Sequence, residues 1–352
     1  MKQGPRCWLR CFLVVFLMVN TALKLNAEAL PVELLHQRDA QKVDILVGGN
    51  YFTSYLYGHT LLNKPVLFPV LSATGKTVTR GYPIDTRAGE RVDHTHHHGI
   101  WFNHGDVNGI DFWNAGRTPP KPGVRYGKIK HRKIQSLQSG AVGKLSVVME
   151  WFSDKGDSML LQETTYLFQG TQHRRSITHF TRLKSTAGDI TFNDSKEGVF
   201  GIRVARALEL PSNKPTLLTG KNLKVLSQAV VDKTGVTGAY RNSEGLSGYP
   251  LVWGKRARWM QLGGTIENTP VSIVIFDAPS NVNHPPHWMA RDYGLFAVNP
   301  LGSAIYTEGK ETLNYTLSKG DTLSFKHQLV ISDSVELNSD TLEQWYAAFV
   351  KQ

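Results

Sequence analysis

Lys144-Leu-Ser-Val-Val-Met-Glu-Trp-Phe152 alternates apolar Leu145, Val147, Met149 and Trp151 with Lys144, Ser146 and Glu150. A period of two is the signature of an extended strand with one face in a core. The pattern recurs at residues 159–168, 174–183 and 199–208, and again at 257–262, 271–276, 294–298, 312–317 and 322–332. Upstream, residues 43–47 and 51–57 read as two strands around Gly48-Gly49-Asn50. Residues 65–71 form a short run broken by Pro65 and Pro69, which predicts an edge or lead-in strand. Residues 233–248 read as a long surface loop, and helix is predicted only at 340–350, with Asp340 as its cap, Glu343 three residues on, and Leu342, Trp345 and Phe349 on one face. Many strands at this spacing with one helix predict an all-β fold, a large antiparallel two-sheet β-sandwich with a short C-terminal helix.

The N-terminus carries its own message. Lys2, Arg6 and Arg10 precede an apolar run over residues 11–19, and small residues at Ala27 and Ala29 offer cleavage points. This is the pattern of a secretory signal over residues 1–27, and it predicts a periplasmic or secreted protein with residues 28–352 as one domain. The run is short for a membrane span, and nothing later in the chain resembles one. Both cysteines, Cys7 and Cys11, lie in that leader, so a mature chain would hold no disulfide and no thiol nucleophile. At roughly 320 residues it can bury a sufficient core without them. The formal charge of +11 falls to +7 once Lys2, Arg6, Arg10 and Lys24 are set aside, and what remains is scattered. No basic stripe points to a nucleic-acid partner. Phosphate-binding glycine loops and a Gly-x-Ser-x-Gly elbow are missing, which argues against nucleotide and serine-hydrolase chemistry. Oligomeric state does not follow from the residues.

Chemistry concentrates in four stretches. The first is Asp93-His-Thr-His-His-His-Gly-Ile-Trp-Phe-Asn-His-Gly-Asp-Val-Asn-Gly-Ile-Asp-Phe-Trp113, which holds five of the 13 histidines. If residues 94–98 are extended, His94, His96 and His98 point to one side and could hold a divalent metal ion. His104, Asp106 or Asp111 could complete a metal shell across a turn, or these residues with His97, Trp101 and Asn108 would line a polar pocket. The second stretch is Asn193-Asp-Ser-Lys196-Glu197-Gly198 with Arg203, where Lys196 can tune the acidity of Glu197. The third is Trp253-Gly254-Lys255, and the fourth runs from Asn281 through His287, Trp288, Arg291 and Asp292 to Pro300. Tryptophans beside Arg and Asp in a cleft would be stacking platforms for sugar rings.

These stretches together resemble the bacterial family labelled methane oxygenase PmoA-like, whose function is unknown. The matching residues are Tyr82-Pro83, Gly89-Glu90-Arg91, Asp93 through His98, His104 through Trp113, Lys196-Glu197-Gly198 and Trp253-Gly254-Lys255. Asn281, Trp288, Arg291 through Phe296, Asn299-Pro300 and Leu317 through Phe325 extend the match over nearly all of the chain after the leader. His98 departs from the pattern, standing where that family often has Arg, which counts against His94, His96 and His98 acting together as ligands. The resemblance in turn is similar to galactose mutarotase-like sandwich proteins, and it implies a fold of that kind and a carbohydrate substrate.

Three functions are expected from these residues. The first is an exported carbohydrate-active enzyme working by hydrolysis, epimerisation or elimination. In it Glu197 or Asp292 is the base, one of His94, His96, His97 and His104 is the acid, and Arg291 with Lys255 clamps an anion or oxyanion. Trp101, Asp106, Asn108, Asp111, Lys196, Arg203, Trp253, His287 and Trp288 would line its substrate site. The second is a non-catalytic glycan-binding protein using the same cleft. The third, following the family label, is a metal-dependent oxidoreductase.

Overall fold

A computed structural model describes Met1, residues 28–333 and residues 337–352, so the leader expected over residues 1–27 lies, Met1 apart, outside the described residues. Two eight-stranded antiparallel sheets make up the body. The first runs Val32–Gln37, Lys42–Val47, Asn50–Leu56, Val66–Val70, Ile100–His104, Gly198–Arg203, Leu295–Asn299 and His287–Ala290 in spatial order. The second runs Ala239–Asn242, Trp259–Ile266, Thr269–Asp277, Thr322–Ser332, Arg174–Ser185, Ser158–Gly170, Gly143–Phe152 and Lys128–Gln138. One large cluster of buried side chains takes Ile45, Phe102, Phe200 and Phe296 from the first sheet and Leu145, Trp151, Ile177 and Leu329 from the second. That shared core is what makes the molecule a sandwich. Among the described residues no helix is long and apolar enough to cross a membrane.

Three sequence expectations change. Val66–Val70 is not an edge strand but lies inside the first sheet. Its prolines are tolerated because the ladder is weak there: the pairing with Asn50–Leu56 shifts register, and Leu67 opposite Ile100 is its one partner on the other side. Within the expected loop at 233–248, Ala239–Asn242 pairs with Trp259–Ile266 as the edge of the second sheet. The helix spans Ser339–Lys351 and is capped by Asn338, whose side chain accepts from the Thr341 N–H, rather than by Asp340. Glu343 instead accepts from Arg258 and the Trp259 indole, pinning the helix to the second sheet.

The first sheet has a second, working face. On its central strands, residues of one parity enter the sandwich core: Ile100, Phe102, Phe200, Ile202, Phe296, Val298, Trp288 and Ala290. Residues of the other parity, Trp101, Met289, Leu295 and Ala297, join Trp113, Val66 and Phe68 in a separate apolar layer on the opposite side. Gly201 lies in that layer, and a Cβ there would sit 3.1 Å from the Ala297 Cβ and 3.3 Å from Trp101. This layer is the floor of the candidate site.

Candidate active site

The histidine segment is a turn, not a strand. The His97 N–H donates to the His94 carbonyl at 3.0 Å, and His94 has φ of 44°. Alternation therefore does not apply, and His94, His96 and His98 do not share a face as expected. Among the described residues no three His, Cys, Asp or Glu side chains come together as a metal-binding group, so the tentative ligand set does not assemble. A buried side chain from outside the segment shapes the turn. Arg80 donates to the carbonyls of Asp93 (2.7 Å), His94 (2.8 Å) and His97 (3.2 Å), and to the Asp93 carboxylate at 3.0 Å. Arg203, fully buried on the floor, donates to the same carboxylate at 2.6 Å and to His97 Nδ1 at 3.4 Å. Burial works against a charged Asp93, but Arg203, His94 and Arg80 hold it far below the usual carboxylate range.

The result is a column of rings. Tyr293 stacks on His94 at 4.7 Å, His94 on His97 at 5.0 Å, and His97 on Trp101 at 5.1 Å. Since Arg203 only donates, His97 Nδ1 must accept, which places the proton on Nε2. That Nε2 is buried without a partner. Burial and the neighbouring imidazoles push His97 well below the ordinary histidine range; for His96, burial and then Lys64 do the same. Both are neutral at physiological pH. They can donate a hydrogen bond but cannot be the charged acids that the sequence suggested.

Glu197 reaches the same place from the sharp turn before Gly198–Arg203. Lys196 Nζ donates to Oε1 at 2.9 Å, and Asn114 donates to Oε2. The Asn114 amide also donates to Asp111 Oδ2 at 2.8 Å. Burial pushes the Asp111 carboxyl above the usual carboxylate range, with the Asn114 hydrogen bonds opposing it. A polar cleft of about 230 Å³ is lined by His94, His96, His97, Trp113, Asn114, Arg117, Lys121, Lys196, Glu197, Met289, Arg291 and Tyr293. Three of the four sequence stretches thus meet in one cavity. A larger groove of about 710 Å³ along the edge strand Ala239–Asn242 contains neither histidine nor carboxylate, whereas the smaller cleft joins three histidines to a carboxylate.

Other expected site residues lie elsewhere. His104 is on the core parity of its strand, packs on Phe192 and donates from Nε2 to the Asn193 carbonyl at 2.8 Å. Asp106 accepts from Gly109 and Asn193, and Asn108 bonds Thr191 and Asp189, so both fix a loop. Asp292 does not line the cleft; its nearest charge is Lys214 at 3.8 Å. It is not a base for this site. Trp288 is fully buried in the sandwich core, donating to the Ala257 carbonyl, and Trp101 is floor, so neither is a stacking platform. Lys255 is exposed outside the cleft. His287 donates to the Gly254 carbonyl and stacks on Tyr306, whose hydroxyl donates to the Lys196 carbonyl, so it supports the Glu197 turn from behind. His98 is buried and does not line the cleft. Trp253 is half-buried beside Arg291.

Sequence reasoning passed over Arg80, Asp93, Asn114, Tyr293 and Lys64. Lys64 is 4 % exposed, donates to the His96 carbonyl at 3.0 Å and lies over Trp101 at 5.5 Å. Burial pushes its ammonium down to about 7, with Asp111 opposing. A lone lysine between Asn63 and Pro65 gave no signal.

Among solved structures the chain is similar to the galactosidase domain of an alpha-galactosidase-sucrose kinase, at 9 % identity and a TM-score of 0.38 over 85 % of this chain and 41 % of that one. The chain therefore spans well under half the length of that relative. It is also similar to a putative aldose 1-epimerase from Escherichia coli K12, at 11 % identity and a TM-score of 0.31 over 86 % and 98 % of the two chains. A third is a galactose mutarotase-like protein from Clostridium acetobutylicum, at 10 % identity and a TM-score of 0.27 over 87 % and 99 %. No curated protein matches. A family does match, over residues 42–347, and it carries the description of a family of unknown function rather than the PmoA-like label. With that span covered, the chain belongs to the family of unknown function DUF6807.

Proposed function

We propose that the cleft binds a saccharide and performs acid–base chemistry on it, with Glu197 as base and His94 as the proton carrier. The observation that carries this reading is Glu197 itself, a carboxylate facing a cavity that also contains an imidazole backed by a carboxylate. Lys196 and Asn114 engage one Glu197 oxygen each, so the group is oriented before a ligand arrives. His94 Nδ1 lies 3.3 Å from Asp93 Oδ2, and the Tyr293 and His97 rings stack against the imidazole, which orients it. His97 Nε2–H and Arg291 supply donors for hydroxyl or developing oxyanion oxygens. The cavity is smaller than the roughly 300–1,000 Å³ of sites for drug-sized ligands, which suits one sugar ring.

Hydrolysis by a carboxylate pair requires two carboxyl groups flanking one bond. Among the described lining residues Glu197 is the one carboxylate, and Asp93 is tied down by two guanidiniums. Epimerisation or elimination therefore fits better. Proton NMR of a monosaccharide and methyl-glycoside panel in D2O follows anomer exchange, C–H washout and new alkene signals together. Turnover should fall about 10²- to 10⁴-fold in Glu197→Gln. An active sugar turned over equally fast by that variant would refute the assignment.

A further inference from the structure

Arg291 follows the strand His287–Ala290 on the parity of the working face. Its guanidinium carbon lies 5.6 Å from the Trp253 ring centroid and 5.5 Å from that of Tyr293. Two aromatic faces thus fix the fork. Among the described residues its guanidinium makes no hydrogen bond or ion pair, and Nε is buried without a partner. Its neighbours differ. Arg203 and Arg80 share the single Asp93 carboxylate, and Lys196 pairs with Glu197. Arg117 donates from Nε to the Pro119 carbonyl, which leaves its charge unmatched. Around the cleft, Arg117, Lys121, Lys196 and Arg291 face one carboxylate, Glu197, while His96 and His97 are neutral.

A neutral hexose entering this cavity would desolvate positive charge without compensating it, which is costly. A planar carboxylate matches an oriented guanidinium fork with two parallel charge-assisted hydrogen bonds. We propose that the substrate class is a saccharide bearing a carboxylate, a uronic acid, with Arg291 as its clamp; this rests on the saccharide reading of the same cleft. The surplus of cations then has a role that neutral-sugar chemistry leaves unexplained. It also places the acid group of the sugar at Arg291, whose fork is held beside the Trp253 and Tyr293 rings.

Calorimetry on the full chain at pH 7 tests this with D-galacturonate and D-glucuronate against D-galactose and D-glucose, and with galactose 6-sulfate as a second anion. At least one uronate should bind about tenfold or more tighter than its neutral parent, and raising NaCl from about 50 to about 500 mM should shrink that ratio. In Arg291→Gln the ratio should collapse to about threefold or less, with Arg291→Lys intermediate. The wild-type ratio stands as a test even if Arg291→Gln does not fold. Uronates binding no tighter than their parents, a ratio that survives Arg291→Gln, or a preference for the sulfate over both uronates would each overturn the proposal. Neutral sugars bound without preference would remove this inference alone, whereas no binding of any sugar would remove the saccharide reading as well.

Discussion

Lys64→Met isolates the energetic cost of a buried amine. In the folded protein burial holds the Lys64 ammonium at about 7, against 10.5 for the free side chain. Below pH 7 both folded and unfolded chains carry the proton, and the fold bears the full penalty of a buried charge. Between 7 and 10.5 the unfolded chain keeps its proton while the folded one has released it. The unfolded state then binds more protons, so stability rises with pH. At roughly 1.4 kcal/mol per pH unit the whole interval amounts to about 5 kcal/mol, and the accessible part from pH 7 to 9.5 to about 3 kcal/mol. Methionine keeps the unbranched shape without the charge. Loss of the bond to the His96 carbonyl shifts the variant by a constant and does not affect the slope. Urea unfolding of both proteins, followed by tryptophan fluorescence, gives the difference in unfolding free energy at each pH. The wild type should gain on Lys64→Met by about 1 kcal/mol or more per pH unit above 7. A difference flat within about 0.5 kcal/mol, or one falling with pH, would refute a neutral buried amine at this position.

Asp93→Asn should cost about 2–4 kcal/mol in urea unfolding, because it leaves the buried Arg80 and Arg203 without their counter-charge. Since the Asp93 carboxyl is held low in the fold, the wild-type advantage is complete above about pH 4 and is lost progressively below it; an advantage that grows on acidification would contradict the pairing. Trp288→Ala should cost about 3–5 kcal/mol by the same measurement, as befits a core side chain, and a loss under about 1 kcal/mol would return Trp288 to the surface.

The fold was the more legible part of the sequence because alternation survives wherever a strand has one apolar face. Residues 144–152 and most of 322–332 show it, residues 271–276 are instead a β-branched and aromatic run buried on both faces, and all three are strands. His287–Ala290 was hidden by the prolines beside it, and both its faces are buried, so no polar residue marks its period. In the site, the clustering of His94, His96 and His97 with Glu197 and Arg291 was readable as composition, but the geometry was not. Side-chain direction in the segment 93–98 is set by Arg80 hydrogen-bonding to backbone carbonyls, and no local pattern announces an arginine that acts on atoms every residue has. His104 was misread because it sits on the core parity of Ile100–His104, opposite Trp101, and a strand turns a single step into opposite sides of a sheet; Asp292 falls one residue past Arg291, in the turn beyond His287–Ala290.

The two-sided sheet also divides what substitution can change. Phe102, Phe200 and Phe296 answer to the second sheet, whereas Trp101, Gly201 and Ala297 answer to the apolar layer beneath the cleft, with Trp113 and Met289 between it and a ligand. Substrate preference can therefore drift on one set of positions while stability is maintained on the other. The arrangement is vulnerable at one point: a slip of one residue in pairing among Ile100–His104, Gly198–Arg203 and Leu295–Asn299 would exchange the two sets at once. Stability and recognition would then fail together, and an inactive, misregistered form of this protein should be recognised by losing both.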